Sequence, residues 1–161
     1  MFTKIAILVL FIFSLGNPSE DNRSYQKEYY QKGKIKAEGW VKNGLKEGYW
    51  KFYHPNGKLS EKGHFKRGQR QDYWYFYTQN GNPRQAGHYM KGKMANWWLF
   101  YDSQGKVYHK CQLNNGKKNG YCLQYRNEKL TSAEKYQNGR KLKKWTSFSS
   151  FKRENNLSDL K

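Results

Sequence analysis

Three side chains stand close enough in the sequence to share chemistry: His109, Cys111 and Cys122. An imidazole and two thiolates are the ligands of a structural zinc ion, and two thiols alone are the makings of a disulfide. The other histidines offer less. His64 and His88 fall two strands apart in the repeat described below, roughly 10 Å at ordinary strand spacing, which is too far for one ion, and His54 flanks a turn. No paired carboxylates flank a cleft, and no Gly-x-Ser-x-Gly or phosphate-binding loop is present. The sequence therefore predicts neither an enzyme nor a cofactor, and the two cysteines become the residues to place.

The compartment bears on their state. Residues 1–16, "MFTKIAILVLFIFSLG", carry one cation (Lys4), an apolar run and then small residues. This is the pattern of a secretory signal peptide, and the run is shorter than the ~20 residues needed to span a bilayer. Residues 17–28 are polar and read as a linker. Export predicts a periplasmic, envelope-associated or secreted protein in which a Cys111–Cys122 disulfide forms in preference to a metal site. With 31 Lys and Arg against 12 Asp and Glu, the net charge is +19. Such a field favours anionic partners, either lipid headgroups or acidic glycan. Nucleic acid is not expected outside the cell, and an envelope protein is the remaining partner class.

The elements that position the cysteines come from a repeat of 24 residues. Copies start at Gly39, Gly63, Gly87 and Cys111, and a fifth starts at Glu134 after a copy one residue short. The sixth position is always glycine (Gly44, Gly68, Gly92, Gly116, Gly139), and the fifteenth is always aromatic (Tyr53, Tyr77, Tyr101, Tyr125, Phe148). Runs such as "YWKFY", "YWYFY" and "WWLFY" favour strands, and turn residues recur about every 12 positions. "HPNGKL" and "DSQGKV" suggest two-residue type I′ turns, whereas "KNGLKE" and "KRGQRQ" suggest type II′ turns with glycine first. The expected fold is all-β: an elongated single-layer antiparallel meander of stacked hairpins over residues 29–148. Residues 149–161 contain Phe151, Leu157 and Leu160 and form either a short C-terminal capping helix or a basic tail.

The pattern Gly-x-aromatic-x-x-Gly-x-x-x-Gly-x-Trp-x-Phe-Tyr-x-x-x-Gly resembles the MORN repeat, in its bacterial variant. The resemblance implies a twisted single-layer sheet, a scaffold or membrane-associated adaptor role, and for some members the label of an antitoxin that sequesters a partner protein.

Register divides the side chains between two faces. One face is the expected core. It alternates Gly39, Gly63 and Gly87 with Trp50, Trp74 and Trp98, an arrangement in which aromatic rings cover bare glycines. Phe52, Phe76, Phe100, Val41, Phe65, Tyr89, Leu113 and Tyr136 flank that row. Cys111 takes the glycine position and Cys122 the tryptophan position, which places them directly opposite each other; Trp145 is expected in the tryptophan row of the last copy. The other face carries Tyr49, Tyr73, Trp97 and Tyr121 in one row and Tyr53, Tyr77, Tyr101 and Tyr125 in a second, with Lys51, Lys62, Arg84 and Lys110 interleaved. Rings beside cations can stack on sugars, meet headgroups or engage in cation–π contacts, or they can simply stabilise a sheet through cross-strand pairs. This second face is the candidate ligand surface.

Overall fold

A computed structural model describes residues 22–160; the predicted signal peptide and the first part of the predicted linker lie outside them. The chain folds into one open sheet of eleven antiparallel strands in sequence order. These are β1 (Arg23–Tyr29), β2 (Ile35–Lys42), β3 (Leu45–Tyr53), β4 (Leu59–Lys66), β5 (Gln69–Tyr77), β6 (Pro83–Met90), β7 (Lys93–Tyr101), β8 (Val107–Asn114), β9 (Lys117–Arg126), β10 (Lys129–Gln137) and β11 (Arg140–Trp145). A seven-residue helix, α1 (Phe148–Glu154), and a 3-10 turn at Leu157–Leu160 follow. The all-β meander is as the periodicity predicts.

The linker expectation needs correcting from Arg23 onward. Residues 23–28 are not a tether but most of β1, paired along β2 from Arg23↔Lys42 to Glu28↔Ala37. An outermost strand packs against only one neighbour, so it needs less apolar content than an inner one, and its composition imitates a linker.

The turns also differ from expectation. Glycine comes second, not first, in the turns between β2 and β3, β4 and β5, β6 and β7, β8 and β9, and β10 and β11. Asn43 (φ 51°) and Gly44 (φ 75°) form a two-residue turn with both φ values positive, and Arg67-Gly68, Lys91-Gly92, Asn115-Gly116 and Asn138-Gly139 repeat it. Such a turn alone would set Trp50 out of line with Gly39. A bulge restores the alignment: Trp40 pairs with Glu47, yet Gly39 pairs with Trp50, leaving Gly48 and Tyr49 as two extra residues on β3. The turns at the other ends of the strands are three-residue loops in the first four cases, whereas β9 and β10 are joined by the two-residue turn Asn127-Glu128 with both φ values positive. His54 and Lys58 close one such loop, and Gly57 (φ 84°) takes the left-handed position.

The bulge requires a left-handed residue at the tenth repeat position. Gly48, Asp72, Asn96 and Gly120 supply it with φ between 58° and 104°. Glycine, asparagine and aspartate are the residues that adopt this conformation at least cost. The fifth copy has Lys143 there instead, and its hairpin slips by one residue, not two: Lys135 pairs with Lys143 and Tyr136 with Lys141. A one-residue slip moves a side chain to the opposite face. Trp145 is accordingly not in the tryptophan row; it pairs with Ala133 and packs with Tyr121, Leu123 and Phe151 on the tyrosine side.

The tryptophan face is the core. Trp50, Trp74 and Trp98 are at most 1% exposed in a structure that has a single sheet. Phe52, Phe65, Phe76, Tyr89, Phe100 and Leu113 pack between them. Each indole lies flat over the glycine of its own hairpin. A Cβ built on Gly39, Gly63 or Gly87 would come within 2.4 Å of the Trp50, Trp74 or Trp98 ring. Each indole N–H also donates to the carbonyl beside the bulge: Trp50 to Trp40 O (2.8 Å), Trp74 to His64 O (3.1 Å) and Trp98 to His88 O (3.0 Å). One side chain thus covers a bare backbone and satisfies a carbonyl where the ladder is interrupted. Cations roof the row from the eighth repeat position. Lys46 Nζ stands 3.5 Å from the Trp50 ring, and the Arg70 guanidinium 4.3 Å from Trp74, where it also pairs with Glu61.

Candidate functional site

Cys111 and Cys122 pair directly across β8 and β9 and are joined by a disulfide, with Cα atoms 4.1 Å apart and both residues fully buried. This is the predicted bond at the predicted rung. The geometry of the other hairpins explains why both positions differ together. With a tryptophan lying over the first repeat position no Cβ fits there, so a cysteine at 111 requires the partner at 122 to be small. The bulge carbonyl in this hairpin has no indole to meet. Gln112 serves the other strand of the bulge, its Oε1 accepting from Tyr121 N at 2.7 Å.

His109 Nε2 lies 3.2 Å from Cys111 Sγ, and one ligand atom from each of His109, Cys111 and Cys122 falls within 4.8 Å of the others. Burial and the nearby Lys118 hold the imidazole below its ordinary pKa, against the pull of Glu134, so it is neutral at pH 7. A zinc ion needs two thiolates here. The bonded sulfurs supply none, and the oxidised protein shown here has no metal-binding set at this place.

Glu134 occupies the glycine position of the last copy, opposite Cys122, and is buried. Its carboxylate accepts from the Tyr136 hydroxyl (2.8 Å) and from Lys141 Nζ (3.3 Å). Burial alone would raise its pKa, but these two bonds and the charges of Lys141 and Lys144 hold it below the ordinary value. Tyr136 is pushed up to about 12 by burial, the bond to Glu134 and that carboxylate's charge. A folded-state pKa raised above the unfolded value of 10.0 favours the neutral phenol in the fold. The stability it contributes is complete below pH 10 and is lost as pH rises through about 12. Thermal melts should therefore weaken across that window. Glu134→Gln should shift the tyrosinate absorbance of Tyr136 to lower pH; an unchanged alkaline titration would refute the pairing.

The tyrosine face is assembled as predicted along its first two thirds. Tyr49 meets His64 (ring centroids 5.0 Å), Tyr73 meets His88 (4.8 Å) and Tyr75 (4.9 Å), and Tyr25 meets Trp40 (5.3 Å). The Tyr53 hydroxyl donates to Glu38 Oε1 at 2.6 Å. Burial raises the pKa values of Tyr53, Tyr73, Tyr101 and Tyr125, so these hydroxyls are neutral donors at pH 7. Tyr75 belongs to this face and was not singled out by the sequence, because its repeat position holds Lys51, Leu99 and Leu123 in the other copies. Only the single copy, read for its own alternation with Trp74 and Phe76, reveals it.

Three expectations for this face change. Arg84 sits in the bulge between Phe76↔Gln85 and Tyr77↔Pro83, and its guanidinium lies 5.8 Å from Phe76, on the tryptophan side. The bulge breaks the alternation that had placed it among the tyrosines. The C-terminal helix covers a face and not the end of the sheet. Phe151 packs on Tyr121 and Trp145, Asn155 accepts from the Tyr121 hydroxyl at 2.7 Å, and Gln112 Nε2 donates to Asp159 O. Tyr121 is thereby buried and withdrawn from the candidate surface, and Trp97 and Tyr125 border the same cluster. Finally, most of the cations here already have rings. Lys62 Nζ is 5.0 Å from Tyr75 and 5.9 Å from Tyr77, and Lys110 Nζ is 4.5 Å from Trp97. Lys51 is exposed, between Glu38 and Lys62 on neighbouring strands. The open part of the face is therefore one of rings and hydroxyls more than one of free charge.

Among the described residues no helix is long and apolar enough to cross a membrane. No family model matches the sequence, and no curated protein matches it. Among solved structures, a chain of the glycosylation-associated protein (Gap123) complex from Streptococcus agalactiae is similar with a TM-score of 0.41 and 15% identity over 93% of this chain. The present chain spans 26% of that one.

Proposed function

We propose that this protein is an exported, non-enzymatic MORN-type repeat protein that acts as a binding scaffold in the cell envelope, with the open tyrosine face as its docking surface for a glycan. One observation carries the reading. Tyr49, Tyr73, Tyr75, Tyr77 and Tyr101 lie on the side of the sheet opposite the tryptophan core and outside the cluster under α1, so their rings are not needed to close either. Rings and neutral hydroxyls suit the apolar faces and hydroxyl groups of sugars. The lysines on this face mostly stack on the rings themselves, which supports a glycan over a surface recognised by charge.

The test is pull-down on purified peptidoglycan sacculi, with sedimentation on phosphatidylglycerol vesicles alongside. Tyr77→Ala with Tyr101→Ala is expected to weaken sacculus binding about thirtyfold, each lost stacking contact being worth ~1 kcal/mol. Lys51→Gln with Lys62→Gln is expected to change it less than about twofold. The reverse order of effects, or pelleting with vesicles and not with sacculi, would replace the glycan by an anionic lipid.

A further inference from the structure

The two long edges of the sheet are chemically unlike. One edge carries the two-residue tips at Gly44, Gly68, Gly92, Gly116 and Gly139, and the other carries the three-residue loops and the Asn127-Glu128 turn. On the loop edge three lysines are engaged: Lys34 Nζ donates to Pro55 O (3.1 Å), Lys58 Nζ to Asn80 O (2.9 Å), and Lys106 pairs with Glu128 (3.0 Å). Only Lys32 and Lys129 among the described lysines of these loops stand exposed without a partner. On the tip edge Lys42, Lys66, Arg67, Lys91, Lys93 and Lys117 are exposed, and none of their side chains has a partner among the described residues. Arg140 continues the series on the fifth tip. Between the third and ninth positions of the five copies the only carboxylate is Glu47, and it accepts from Arg67 N at 2.7 Å.

The tips are also fixed relative to one another. Gly68 N donates to Lys46 O, Gly92 N to Arg70 O, Gly116 N to Met94 O and Gly139 N to Lys118 O, at 2.7–2.9 Å. Each tip is thus bonded to the hairpin before it. Tips two strands apart repeat at roughly 10 Å, and five of them span roughly 40 Å. The result is a preorganised comb of free cations, with little order left to gain on binding.

We propose that this edge binds a linear acidic polysaccharide running across the strands, from tip to tip. An extended polymer with charges at intervals along its length matches a comb in which every tooth carries the same sign. Single-stranded nucleic acid is the poorer fit, because its bases seek aromatic platforms and the tips present Leu45 and Met90 but no ring. The surface is separate from the tyrosine face, and the proposal stands whether or not that face binds sugar.

The test compares two quadruple variants of equal charge change. The tip variant is Lys66→Gln, Arg67→Gln, Lys91→Gln and Lys93→Gln; the loop variant is Lys34→Gln, Lys58→Gln, Lys106→Gln and Lys129→Gln. Heparin serves as the sulfated probe and alginate as the carboxylated one, titrated over a salt series, with an oligothymidylate and phosphatidylglycerol vesicles as competitors. The tip variant is expected to bind both polysaccharides at least about tenfold more weakly and with a shallower salt dependence. The loop variant should stay within about twofold of the parent, and Tyr77→Ala with Tyr101→Ala should leave the salt dependence unchanged. Equal losses in the two quadruple variants would reduce the effect to net charge and overturn the proposal, and so would tighter binding to the oligonucleotide or the vesicles. Circular dichroism of both variants confirms that the sheet is intact, since the exposed tip side chains hold nothing together.

Discussion

Trp74→Ala is expected to lower the free energy of unfolding by about 3–5 kcal/mol, the usual cost of removing a fully buried large aromatic side chain. Trp74 is fully buried at the centre of the tryptophan row, between Phe65 and Phe76, with Arg70 above it. Its loss also leaves His64 O and Gln71 O without the indole donor. The sharper expectation concerns Gly63. A Cβ there would come 2.3 Å from the Trp74 ring, so Gly63→Ala in the intact protein should cost about 1–3 kcal/mol through overpacking. In the Trp74→Ala background the ring is gone and that cost should vanish. A double-mutant cycle measured by urea unfolding reads the coupling directly. Additive losses would mean that the indole does not hold the glycine in place.

The cysteine hairpin supplies the second large effect. Reducing the disulfide, which closes an interval of 11 residues, should cost about 3 kcal/mol. Cys122→Trp should cost that and a further 1–3 kcal/mol or so, because Cys111 keeps a Cβ where the ring must lie. Adding Cys111→Gly should recover the second part and recreate the glycine–tryptophan rung of the first three copies. The double variant should then unfold identically with and without reductant, whereas the parent should lose stability when reduced. If Cys122→Trp alone proves as stable as the double variant, the steric explanation for the paired cysteines fails.

The faces could be read from the sequence even where the turns could not. The register inferred from a glycine-first turn has Gly39 opposite Trp50, and so does the structure, although the turn is Asn43-Gly44. A two-residue bulge makes up the difference, and side chains alternate with period two, so an error of two residues leaves every face correct. The same alternation explains what was missed. In the last hairpin the discrepancy is one residue, and Trp145 changes sides. The clue was present at the tenth position, where Lys143 replaces Gly48, Asp72, Asn96 and Gly120. It becomes legible only once a left-handed residue is known to be required there. The docking of α1 on Tyr121 was not legible, because Phe151, Leu157 and Leu160 suit the end of a sheet as well as its surface. The partners of the lysines were also hidden: the charge total is the same whether an ammonium stacks on Tyr75 or stands free at a tip.

The tenth-position rule determines how such a chain can lengthen. Duplicating the unit from Gly63 to Ala86 would add two strands with the bulge intact, and every downstream side chain would keep its side. A unit drawn from the last hairpin, with Lys143 in place of the left-handed residue, would invert all that followed, presenting tyrosines to the core and tryptophans to solvent. The fifth copy is therefore the one unit whose duplication is expected to exchange the faces, and the contact of Trp145 with Phe151 on the tyrosine side is the visible result of its single slip.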